Sequence, residues 1–165
     1  MRPLTHLLLV GFAGIALAAP VAGQRADDQI LPRSVQLQRQ AEALISVGKL
    51  EEAEDVLETA LAVDPRNRWA FVDIARVGEK QHLFGKAIRM TNKALLLDPN
   101  DVDAIAVQGE AMVEMGATAR AQANLQKLQT LCAPKGCPQI AQLSSAISRG
   151  PTVASAKAPE GPKSN

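Results

Sequence analysis

Two phrases in this chain nearly repeat one another: ALAVDPRN, from Ala60 to Asn67, and ALLLDPND, from Ala94 to Asp101. Their prolines, Pro65 and Pro99, stand 34 residues apart. The same offset carries Ala41 onto Ala75, Ala53 onto Ala87, Ala60 onto Ala94 and Leu61 onto Leu95. One further step reaches Gly109 and Ala121, where EAMVEMG (Glu110 to Gly116) echoes EALISVG (Glu42 to Gly48). A unit this short cannot bury its own apolar face, so successive copies must stack. That requirement narrows the fold to a solenoid or an array.

Each unit reads as two helices. After Pro32, Leu37, Ala41, Leu44 and Ile45 recur at helical spacing, and Gly48 interrupts them. Leu50, Ala53, Leu57, Ala60 and Leu61 then form a second amphipathic stripe. Asp64-Pro65 ends it, because the residue before a proline avoids helical geometry. Asn67 can cap the following helix, and Asn100 or Asp101 can do the same after Pro99. The composition agrees. Apolar residues make up 47 % of the chain, but the aromatics are only three Phe and one Trp. A core of Ala, Leu, Val and Ile favours helix over strand.

Period, two-helix unit and residue pattern together resemble the tetratricopeptide repeat. The match runs from about residue 34 to residue 133. That family places a large residue early in the first helix (here Leu37, Phe71 and Ile105) and a small one four residues later (Ala41, Ala75 and Gly109). Small residues recur where the helices cross (Ala53, Ala87 and Ala121) and again at Ala60 and Ala94. The departures are Gly78 at a normally bulky position, His82 where glycine is common, Leu128 where alanine is usual and Ala133 where proline is usual. The resemblance implies an all-α, right-handed α-solenoid of three units, 34–67, 68–101 and 102–133, with a C-terminal capping helix at 138–149. In that helix Ile140, Leu143 and Ile147 make one apolar stripe, away from Gln139, Gln142, Ser145 and Ser148.

The flanking segments differ in character. MRPLTHLLLVGFAGIALAAPVAGQ has a charged start, an apolar run of about thirteen residues and a small-residue region, the pattern of a secretory signal over residues 1–23. The run is shorter than the ~20 residues that a membrane span needs. Export with cleavage, and no membrane span afterwards, is therefore expected. Loss of Arg2 would leave seventeen Lys and Arg against seventeen Asp and Glu. A neutral mature chain has no net field to draw it to nucleic acid. Residues 24–33 read as a flexible lead-in and 150–165, small, polar and proline-rich, as a disordered tail. The signal, the size and the terminal cysteine pair look like periplasmic proteins of Gram-negative bacteria.

Both cysteines, Cys132 and Cys137, fall in the turn between the third unit and the capping helix. An exported chain meets oxidising conditions, so a structural disulfide is the favoured reading. A redox pair is the alternative, although that chemistry typically uses two intervening residues rather than four. A metal site lacks ligands, since zinc takes at least three Cys, His or carboxylate side chains. No metal or other cofactor is expected. No phosphate loop or nucleophile motif is present, and His82 reads as an exposed turn residue, so the chain is not expected to be an enzyme.

The family resemblance places the binding surface on the concave face, lined by the first helix of each unit. Its candidates are Gln38 and Glu42, then Trp69, Val72, Arg76 and Glu79, then Asp103, Ala106 and Glu110. Trp69 is the chain's one tryptophan and reads either as an interface anchor or as packing against the neighbouring unit. Some family members hold a peptide's C-terminal carboxylate with Lys, Asn and Arg. This chain has Gln38, Glu42, Asp73, Asp103 and Val107 at the matching places, which fits a neutral or basic peptide better. The expected function is a protein–protein interaction module, an adaptor or assembly factor. The alternatives are a self-associating scaffold and a thiol-disulfide factor using Cys132 and Cys137.

Overall fold

The computed structural model describes residues 29–133 and 135–152. Among them are seven helices and no strand: α1 (Pro32–Ser46), α2 (Leu50–Val63), α3 (Arg68–Lys80), α4 (Phe84–Leu97), α5 (Val102–Glu114), α6 (Thr118–Leu131) and α7 (Pro138–Arg149). The proposed signal, most of the lead-in and the tail from residue 153 lie outside the described residues. No described helix is long and apolar enough to cross a membrane.

The core is three clusters, each spanning a unit boundary. Leu37, Leu57 and Ala60 of the first unit pack with Ile74 and Val77 of α3. Val72, Ala75 and Ala87 pack with Ala104 and Val107 of α5. Ile105, Met112 and Leu128 pack with Leu143 of α7. The repeated alanines 41, 53, 60, 75, 87, 94 and 121 are fully buried. Short side chains at these crossings let the helix axes approach closely. Leu128 stands 34 residues after Ala94 and is also fully buried, where it and Leu143 fill the space around α7.

The turns repeat as regularly as the core. Gly48, His82 and Gly116, spaced by 34, end the first helix of each unit with φ of 77°, 59° and 75°. His82 is the one non-glycine residue with positive φ among the described residues. At the far ends of the first and second units a polar latch recurs. Leu31 N donates to Asp64 Oδ2 (2.9 Å) and Asn67 Nδ2 to Ser34 Oγ (2.9 Å). One unit later Arg68 pairs with Asp101 in the places of Ser34 and Asn67. Asn67 and Asp101 also cap α3 and α5, accepting from the Ala70 and Ala104 amides at 3.3 and 2.9 Å. Asp101, not Asn100, is the second cap. Helix α1 begins at Pro32, inside the expected lead-in, with Leu31 tied to Asp64.

At the C-terminal end α7 takes the place of a fourth first helix. Pro138 stands in its opening turn, where the missing N–H costs nothing. Leu143 is fully buried against Gly109, whose added Cβ would lie 2.6 Å from Leu143 Cδ1. That contact explains the glycine where earlier units carry alanine. Burying one such leucine contributes about 2 kcal/mol. Cys132 and Cys137 form a disulfide across the α6–α7 turn.

Candidate functional site

Helices α1, α3, α5 and α7 share one face, and a single chain of hydrogen bonds crosses all four. Gln38 Nε2 donates to Glu42 Oε1 (2.8 Å) and to Asp73 Oδ2 (2.6 Å). Arg76 bridges Asp73 Oδ1 and Asp103 Oδ1, both at 3.0 Å. Gln139 Nε2 of α7 then donates to the same Asp103 oxygen at 3.0 Å. Gln38 and Asp73 are buried beneath this network, while Asp103 and Arg76 stay partly open.

The electrostatics follow from crowding carboxylates around one bridging guanidinium. Burial, joined by the Glu110 charge, pushes Glu79 up to about 8, against the pull of Arg76. Burial also raises Glu110, although Gln142, Arg149 and Arg76 oppose it. Asp73 is raised by burial and held back by Gln38 and Arg76.

Two recesses open at the ends of the face. One, of about 250 Å³, is lined by Val35, Gln38, Arg39, Glu42 and Trp69. Trp69 is 42 % exposed, and the Arg68 guanidinium sits 4.5 Å from its ring centre. Such stacking draws a cation to an aromatic face. The other recess, of about 180 Å³, lies among Glu79, His82, Phe84, Glu110, Glu114, Ala146, Arg149 and Thr152. Thr152, just past α7, donates to Glu114 from its amide (2.9 Å) and its hydroxyl.

The structure brings together Gln38, Glu42, Trp69, Arg76, Glu79, Asp103 and Glu110. Two expected members are corrected. Val72 is 2 % exposed and sits in the middle core cluster; Ala106 is 1 % exposed and sits in the third. Neither offers surface to a ligand, because each first helix packs on its own partner and on both neighbouring units. Arg39, Glu114, Gln139 and Arg149 belong to the face although the repeat frame does not single them out. Glu114 could have been found from its spacing, one helical turn beyond Glu110. Gln139 could not, since its role depends on where α7 docks.

No family model matches this chain, and no curated protein does. Solved structures do. The tetratricopeptide-repeat domain of Sgt2 from Aspergillus fumigatus superposes with a TM-score of 0.66 at 19 % identity, covering 82 % of this chain and 88 % of that one. This chain has the fold of tetratricopeptide-repeat domains. The second such domain of human RPAP3, solved with the HSP70 peptide SGPTIEEVD, gives 0.61 at 21 % identity, covering 69 % and 94 % of the two chains. The Yersinia enterocolitica type III secretion chaperone SycD, solved with a peptide of the translocator YopD, gives 0.61 at 23 % identity, covering 70 % and 86 %. Among the described residues the tetratricopeptide-repeat fold is built here from three two-helix units and one added helix.

Proposed function

We propose that this chain is an exported, periplasmic module that binds a peptide or protein segment on the face of α1, α3, α5 and α7. It serves there as an adaptor or assembly factor rather than as an enzyme. The observation that carries this reading is the polar network from Gln38 to Gln139. It orders partly exposed side chains from four successive first helices beside a half-exposed tryptophan. Rigid, pre-arranged polar groups around an aromatic anchor are what a peptide site needs. The peptide complexes of the human RPAP3 domain and of SycD support the reading, since both pair this fold with a peptide. The export reading draws its support from the signal pattern in residues 1–23 and from a disulfide that persists in oxidising compartments.

The test is a photo-reactive residue at Glu42, exposed on the face, with a control at Glu58, exposed on α2. Both are expressed in the native host. A defined partner cross-linked from position 42 and not from 58, and lost with Trp69→Ala, is the expected result. Equal capture at both positions, or none, defeats the reading. Capture of a second copy of the chain moves it to a self-associating scaffold. The mass of the purified protein tests export, with removal of residues 1–18 or 1–23 expected.

A further inference from the structure

The two recesses on the binding face differ in chemistry. The first offers Trp69 and Val35 as its apolar walls, beside Gln38, Arg39 and Glu42. The second is lined by Glu79, Glu110 and Glu114, with His82 and Arg149 and the apolar Phe84 and Ala146. Six acidic side chains, those of Glu42, Asp73, Glu79, Asp103, Glu110 and Glu114, share the face, and Glu79, pushed up to about 8, is mostly the neutral acid at neutral pH. Arg76 is committed to two of them, Asp73 and Asp103. Arg149 borders the acidic recess and Arg39 the aromatic one. Within the acidic recess the Glu110 carboxylate takes a hydrogen bond from Gln142 and faces the Arg149 charge, while its Oε1 is buried and accepts no hydrogen bond among the described residues. A cationic donor entering the recess would gain charge-assisted contact with its carboxylates in a partly desolvated site. An acidic peptide such as the SGPTIEEVD bound by the human RPAP3 domain would meet like charge here.

We infer that the ligand is a cationic peptide. An apolar side chain enters the Trp69 recess, and a Lys or Arg enters the recess of Glu79, Glu110 and Glu114. The spacing follows from α3. Trp69 and Glu79 stand ten residues apart on that helix, which at 1.5 Å per residue puts these two wall residues about 15 Å apart along its axis. An extended chain rises about 3.3 Å per residue, so the two anchors lie about four or five residues apart. The inference rests on the reading of this face as a peptide site and adds its charge and register.

A display library of random decapeptides, selected on the purified chain and counter-selected on its Trp69→Ala variant, tests it. Enrichment of an apolar residue followed or preceded at four or five positions by Lys or Arg is expected. A synthetic decapeptide of that pattern should weaken at least about tenfold when its cation becomes Glu, and about as much on the Glu110→Gln variant. Circular dichroism and the melting curve check that this variant is folded. Enrichment of acidic or uncharged peptides dependent on Trp69 overturns the cationic ligand and leaves the peptide site standing. A selection that yields nothing dependent on Trp69 overturns both.

Discussion

Glu79 sits where burial and the Glu110 charge raise its pKa to about 8, well above an ordinary glutamate. The fold therefore holds that proton more tightly than the unfolded chain does. Stability is full below the unfolded value near 4.5 and falls as pH rises toward 8. Glu79→Gln removes the titration while keeping the shape of the neutral acid. The variant should match the parent near pH 4 and exceed it at pH 9 by up to about 5 kcal/mol, at about 1.36 kcal/mol per pKa unit. Urea melts across that range read the difference, and parallel curves would refute the shift. At this scale the sequence was a partial guide. It placed Gln38, Glu42, Trp69, Arg76, Glu79, Asp103 and Glu110 on one face by the 34-residue frame. It misplaced Val72 and Ala106, because a stacked helix is buried on three sides and periodicity alone does not show where burial ends.

At the scale of elements the decisive features are turns and close approaches. Gly48, His82 and Gly116 hold the same left-handed turn, but only His82 carries a side chain there. A Cβ at Gly48 or Gly116 would meet nothing within 4 Å, so alanine there would cost backbone strain alone. Gly48→Ala should destabilise by about 1 kcal/mol, while His82→Gly should stabilise by about 0.5 kcal/mol after losing the His82 contact with Phe84. Opposite shifts in melting temperature check the pair. Gly109 is small for another reason. Its missing side chain leaves room for Leu143, so Gly109→Ala should displace α7 and cost about 2 kcal/mol. The smaller Leu143→Val in the same chain should restore part of that loss, and a double-mutant cycle reads the coupling. The helices themselves were legible, since Pro32, Asn67, Asp101 and Pro138 mark their starts. The choice of Asp101 over Asn100 depended on which side chain could reach the Ala104 amide.

At the scale of the whole molecule the solenoid gains stability from neighbour contacts, and its ends are the places where a contact is missing. The disulfide between Cys132 and Cys137 closes the turn that delivers α7 to that end. Replacing both cysteines by Ser should lower stability by about 2 kcal/mol, the loop-closure value for so short a ring. The reduced parent should melt with the double variant; a reduced protein as stable as the oxidised one would remove the staple role. By itself the sequence determined the all-α class, the three-unit register, the buried alanines and the pairing of the cysteines' turn with the cap. These follow from local spacing, which a 34-residue period repeats three times. Only the tertiary structure decided that α7 presents Gln139 to Asp103 and seats Leu143 on Gly109. It alone showed that Arg76 is shared between Asp73 and Asp103, and that Glu79, Glu110 and Glu114 meet in one recess. Those relations join residues from different units, and their distances depend on how the helices stack rather than on any stretch of chain.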